Sequence, residues 1–194
     1  MVGLNVVLRI FLFAGLALHK LIWEIWKRKY SSGERAQPKQ RSPLQRVLKL
    51  AKIALLIFFL VQTLFLDVLP IKDAPFFVRT LGVTLFILGL CMSISARVHL
   101  GPNWQNVEDQ QLMEKHLLVT NGIYRFIRHP IYAGDLLLVI GLQLALQSWL
   151  FLLGIMIALV IVRQAIAEEK LLLTKFPEYH AYCVRTKRFL PFLI

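Results

Sequence analysis

Two groups of residues in the second half of the chain have the chemistry to hold a charged, aromatic ligand. Arg128 and His129 stand directly before Pro130, with Tyr124 upstream and Tyr132 downstream. Proline suits the first turn of a helix, where its missing N–H is not needed. A helix starting at Pro130 would leave backbone N–H groups free, and such groups attract carboxylate or phosphate. Further on, Arg163 closes a long charge-free stretch, and Glu168 and Glu169 follow it. There an arginine can hold an anionic group while a glutamate accepts from an ammonium or a ribose hydroxyl. Singly, each residue has a plainer role. Arg128 and His129 would be interfacial anchors, Tyr124 and Tyr132 belt aromatics, and Arg163 a snorkelling side chain before a solvated acidic turn. Together they favour a site.

The elements that must position these residues are apolar. Of the 194 residues 57% are apolar and 18% charged, against roughly 25% charged in an average soluble domain, and the mean hydropathy is +0.62. This composition excludes an ordinary soluble globule, a disordered tail and a disulfide-stapled secreted module. The net charge of +12 could suggest nucleic acid, but the basic residues lie between apolar stretches, where a membrane accounts for them better. No nucleic acid partner is therefore expected, and because Cys91 and Cys183 show no metal-ligand spacing and no evident disulfide, no metal is expected either. The first apolar run is followed by Lys27, Arg28 and Lys29, a stop-transfer pattern rather than the end of a signal peptide.

A membrane-crossing helix needs about 20 apolar residues. Residues 4–26, 50–69 and 76–96 qualify, with Arg9 and Lys20 able to snorkel at the ends of the first. Residues 136–162 contain no charge at all. With its flanks this run exceeds about 40 Å as a helix, too long for one span. Gln143, Gln147, Ser148 and Trp149 near its middle predict a tight turn between two short spans. Five spans place 20 of the 23 Lys and Arg on the inner side, N-terminus out and C-terminus in, whereas four would move the last six outside. The predicted fold is an all-α, multi-pass integral membrane helical bundle whose last two helices form a hairpin. Residues 1–98 would hold three spans and a basic inner loop. Residues 99–194 would form a catalytic region with an inner loop, the hairpin and an amphipathic interfacial helix interrupted at Pro177.

Gly122-Ile123-Tyr124, then Arg128-His129-Pro130, Tyr132, Gly134, an apolar hairpin, Arg163, Glu168-Glu169, Phe176, Tyr179, Tyr182 and Pro191 resemble the isoprenylcysteine carboxyl methyltransferase family. That family belongs to the integral membrane methyltransferases, together with phospholipid methyltransferases, and the likeness covers roughly residues 99–194. The resemblance implies transfer of methyl from S-adenosyl-L-methionine, with S-adenosyl-L-homocysteine as product, to a lipidic acceptor in the bilayer, such as a prenylated cysteine carboxylate. It places the cofactor against His116, Leu117, Leu118 and Val119, then Tyr124, His129, Pro130, Ile131 and Tyr132. One acid of Glu168-Glu169 completes that site, and Arg163 stands for the family's substrate-side arginine. Arg163 and Glu168 are thus the expected catalytic pair. The family has three residues between this arginine and its acids, whereas four separate Arg163 from Glu168; a local helix bulge would absorb the extra one.

None of the ten glycines forms a Gly-x-Gly, so no Rossmann domain is expected and a nucleotide-like cofactor must be held differently. A carboxylate acceptor is ionised near neutral pH and needs a cation rather than a base, which suits Arg163; an amine acceptor would need a carboxylate base. A phospholipid amine methyltransferase, a sterol-reductase-like enzyme and a non-catalytic transporter or assembly factor are the competing readings. The spans show neither a repeat nor polar stripes, which argues against a transporter. The expected location is the cell membrane or the endoplasmic reticulum, with the site on the cytosolic side.

Overall fold

The computed structural model describes residues 2–31, 43–103 and 117–190. They form six helices: α1 (Val2–Ser31), α2 (Pro43–Phe65), α3 (Phe76–Leu100), α4 (Pro130–Ala145), α5 (Phe151–Lys175) and α6 (Tyr179–Arg185). Single 3-10 turns occupy Gly101–Asn103 and Gly122–Arg125. No strand occurs among the described residues; an isolated parallel bridge pairs Ile127 with Lys187. The all-α membrane bundle is as expected, and the helices fall where the apolar runs predicted them. Three segments are long and apolar enough to cross a membrane, namely Asn5–Tyr30, Phe76–Asn103 and Phe151–Lys175, while Pro130–Ala145 is a shorter apolar helix.

By packing, the chain divides into two compact units, Met1–Pro70 and Ile71–Ile194. In the first unit, Arg9 does not snorkel. Its guanidinium donates to the carbonyls of Gln62 and Thr63, both at 3.1 Å, and pairs with Asp67. These carbonyls close α2, where the last turn lacks intrahelical donors and carries the negative end of the helix dipole. One arginine of α1 thus caps α2.

In the second unit, α3 and α4 run antiparallel in close contact. Gly82 and Gly89 of α3 face Gly141 and Gly134 of α4, and each pair is spaced seven residues apart, two turns of helix. A methyl group at Gly89 would lie 2.6 Å from the Gly134 carbonyl, and one at Gly134 would lie 2.5 Å from the Ser93 hydroxyl. Only glycine permits this approach, which lets the Ser93 hydroxyl donate to Asp135 at 2.6 Å. At its end α3 is closed by Arg97, which is fully buried and donates to the Gly101 carbonyl at 2.9 Å. The His99 ring packs on Gly122, whose φ of +58° begins the next turn. The expected Asn121-Gly122 turn is therefore also the docking point of the segment that carries Tyr124.

The hairpin turn lies where predicted. Gln147 adopts φ +52°, Ser148 N–H donates to the Gln143 carbonyl at 2.8 Å, and Arg79 donates to the Gln147 side chain at 2.8 Å. The two limbs are unequal, however. Helix α4 has 16 residues and α5 has 25, continuing through Arg163, Glu168 and Glu169 to Lys175. The expected interfacial helix is thus the end of α5 followed by a break over 176–178 and the short α6.

Gly89→Val should reduce stability by about 3 kcal/mol, the upper end of overpacking costs. In detergent the unfolding midpoint should fall by roughly 6 °C or more, with Met156→Leu on the exposed face of α5 as the unchanged control. An unaltered midpoint for Gly89→Val would mean that α3 and α4 are not packed through their glycines.

Candidate active site

Pro130 occupies the first turn of α4, as its chemistry requires. The amides before it are not open to an anion. Arg128 N–H donates to the Lys187 carbonyl at 2.8 Å and His129 N–H to the Arg188 carbonyl at 3.0 Å, while Lys187 N–H returns to Phe126 at 3.2 Å. The chain's own C-terminal segment, paired alongside 126–129, thus takes the two amides that precede Pro130.

Side chains tie the same segments together around Glu169. This carboxylate is buried, with 9% of its side chain exposed. Its Oε1 accepts from Arg128 Nε at 2.8 Å, Arg188 Nε at 3.1 Å and His129 Nε2 at 3.2 Å, and its Oε2 from Arg188 Nη2 at 2.7 Å. The Arg188 contact is two-pronged, the geometry in which a guanidinium fork matches a carboxylate. Arg128 also reaches the Cys183 carbonyl at 3.1 Å and the Thr186 carbonyl. Glu169 thereby gathers the start of α4, the middle of α5 and the tail beyond α6.

Glu168 is in a different situation. Its side chain is 42% exposed, and its Oε2 accepts from the Tyr132 hydroxyl at 2.9 Å and lies 3.8 Å from His129 Nδ1. The His129 ring stacks on Tyr132, with centroids 5.4 Å apart and planes 9° from parallel, and meets Phe189 at 5.9 Å on a tilt. Tyr124 is buried, and its carbonyl accepts from the Tyr182 hydroxyl at 2.7 Å. Burial, reinforced by the nearby Glu168 charge, pushes the Tyr124 phenol above its ordinary pKa, so it remains a neutral hydroxyl.

The structure thus brings Tyr124, His129, Pro130, Tyr132, Glu168 and Glu169 into one region. Leu118 joins it by packing on the aromatic cluster of Leu172, Tyr179 and Tyr182. Val119 and Ile131 are half-buried, Leu117 is exposed, and its N–H donates to Asn103. His116, together with Trp104 and Pro191, lies outside the described residues. Arg163 is exposed and makes no hydrogen bond or ion pair among the described residues. Helix α5 is continuous and carries no bulge, so the five-residue step turns Arg163 about 140° away from Glu168 around the axis. Sequence reasoning missed Arg188, which only the folded tail brings to Glu169. It also missed the Ser93–Asp135 pair, although a carboxylate within an apolar run was a visible signal.

Residues 77–178 match the phospholipid methyltransferase family. The chain is 32% identical over 117 residues to protein-S-isoprenylcysteine O-methyltransferase of Mus musculus, an alignment taking in 58% of this chain and 41% of that one. The human protein of the same name gives the same identity over 58% of this chain and 40% of its own. A probable member from Oryza sativa subsp. indica is 31% identical over 60% of this chain and 63% of its own. The matches thus span about two-fifths of the mammalian relatives. Among solved structures, the eukaryotic intramembrane Ras methyltransferase isoprenylcysteine carboxyl methyltransferase shares the fold, with TM-score 0.56 and 20% identity over 98% of this chain and 74% of that one. This chain belongs to the phospholipid methyltransferase family, among relatives of the isoprenylcysteine carboxyl methyltransferases, as its motifs implied.

Proposed function

We propose that the chain transfers a methyl group from S-adenosylmethionine to the carboxylate of a lipidic acceptor such as a C-terminal isoprenylcysteine. The reading is carried by the division of labour within the acid pair. Glu169 is sealed among two arginines and a histidine, whereas Glu168 keeps an open edge beside Tyr132. An open carboxylate fits the ammonium or a ribose hydroxyl of the donor, and the half-buried Tyr132 beside it suits an aromatic ring. S-adenosylmethionine, when bound, supplies an electrophilic methyl on a sulfonium and leaves as S-adenosylhomocysteine.

The chain's own work is then orientation and exclusion of water. Tyr132 fixes the carboxylate of Glu168 through its hydroxyl, and the buried Tyr124 and His129 wall off solvent. The acceptor carboxylate becomes a methyl ester as the sulfur–carbon bond breaks, and no proton has to move. Arg163, exposed at the boundary of an apolar helix, is the proposed cation for that carboxylate. Residues 99–194 form the proposed catalytic region on the cytosolic side, an orientation supported by the distribution of basic residues. The prenyl or acyl tail stays in the bilayer and the donor comes from water. The family match also keeps a phospholipid amine in view. Such an acceptor would have to lose a proton, and Glu168 would be the base.

Calorimetric titration of the detergent-solubilised protein with S-adenosylmethionine and S-adenosylhomocysteine tests the donor, with a reduced nicotinamide as control. Both should bind saturably, and Glu168→Gln should weaken binding about tenfold, the loss of one charge-assisted hydrogen bond. Tyr124→Ala should weaken it similarly while the protein remains folded. Binding of the nicotinamide alone would instead indicate a reductase. Arg163→Ala should leave donor affinity within about twofold but reduce turnover of a farnesylcysteine acceptor by about a hundredfold, the scale of a lost positioning contact. Wild-type turnover in that variant would return Arg163 to a snorkelling role. Methylation of phosphatidylethanolamine in place of the prenylcysteine would select the amine reading.

A further inference from the structure

The tail beyond α6 enters the function proposed above only as part of the seal around Glu169, yet its contacts also reach His129. Arg188 holds His129 by two routes. Its carbonyl accepts from the His129 amide at 3.0 Å. Its guanidinium grips both oxygens of Glu169, at 3.1 and 2.7 Å, and Glu169 in turn meets His129 Nε2 at 3.2 Å. The next residue, Phe189, lies near the His129 ring on a tilt, so the imidazole meets an aromatic ring from each of α4 and the tail. With Nε2 fixed on Glu169, the other edge of the imidazole is turned toward Glu168, with Nδ1 at 3.8 Å.

We infer that Arg188 is a positioning residue of the methyl-donor site, acting through Glu169 to set the His129 ring and to keep Glu168 as the acid open to ligand. The inference rests on the donor reading above. Oε2 of Glu169 meets Arg188 Nη2, while Oε1 is shared by three donors. Without the guanidinium, Oε2 of Glu169 loses its donor while Oε1 keeps Arg128 and His129, and the freed oxygen then competes for the same cationic or hydroxyl group of the donor. The hold on the imidazole edge weakens, and the tail is left to its backbone pairing with 126–129. A lysine keeps the charge but not the fork, so it replaces the arginine only in part.

The test compares donor binding by calorimetry in the full chain carrying Arg188→Gln, Arg188→Lys, Glu169→Gln and the double change, with the exposed Arg185→Gln as control. Arg188→Gln should weaken S-adenosylmethionine about tenfold and Arg188→Lys about threefold, with the control within twofold. The double change should bind no worse than Glu169→Gln alone, because the two residues act as one unit. Hydrogen exchange at the Lys187 amide, bonded to the Phe126 carbonyl, should quicken in Arg188→Gln whether or not donor is present. Full donor affinity in Arg188→Gln, or in Arg188→Lys if the glutamine variant does not fold, overturns the assignment. So do losses that simply add in the double change, which would make Arg188 a general stabiliser. Failure of the unaltered protein to bind donor would overturn the donor reading itself and this inference with it.

Discussion

A carboxylate as buried as that of Glu169 is costly unless its charge and its lone pairs are satisfied together; removing one partner of such a group costs about 3–5 kcal/mol. Here satisfaction comes from three places in the chain: Arg128 and His129 at the start of α4, and Arg188 beyond α6. None of these segments can take its position independently of the others. The pairing of 126–129 with the tail, the contacts of Arg128 with the carbonyls of Cys183 and Thr186, and the setting of His129 against Tyr132 all follow once Glu169 is placed. One buried ion cluster orders this motif in the absence of any sheet or disulfide among the described residues.

Placing Glu169 depends in turn on α5, and placing Tyr132 on α4. The closeness of α3 to α4 matters for this reason. Because Gly89 and Gly134 allow backbone contact, α4 is fixed along its length and not only at its turn. Ser93 and Asp135 then meet inside an apolar environment, where a hydrogen bond to a charged group is worth more than in water. At the opposite end Gln147, held by Arg79, fixes the hairpin. The rigidity that a binding site needs comes from two glycine pairs and two polar locks, placed on helices rather than loops.

Much of this was legible in the sequence because it depends on local periodicity. The apolar runs gave α1, α2 and α3, and the Gln143, Gln147, Ser148 cluster marked the hairpin turn, since polar residues there must cap helices that are otherwise wholly apolar. Pro130 marked the start of α4 for the same local reason. What escaped was long-range. The glycines at 82 and 89 and at 134 and 141 recur every seventh residue, and the small residues four positions after two of them, Ser93 and Ala145, complete the contact; that pattern was present in the sequence and went unread. Arg188 lies 19 residues from its partner Glu169, and Arg128 lies 41 from the same partner; no spacing rule connects them. The pairing of the Arg128 and His129 amides with the tail was hidden for a related reason. Backbone donors near a helix start are satisfied by whatever comes first, and here the tail supplies carbonyls.

The same geometry separates the two halves of the proposed chemistry. Helix α5 carries the acid pair on one side and Arg163 about 140° away from Glu168 on another, with no bulge between them. A donor held by Glu168 and a carboxylate held by Arg163 would therefore approach α5 from different directions. That arrangement suits reactants arriving from different phases, one from water and one along the lipid. It also requires that one of them bridge the face of the helix between Glu168 and Arg163 before sulfur and oxygen align.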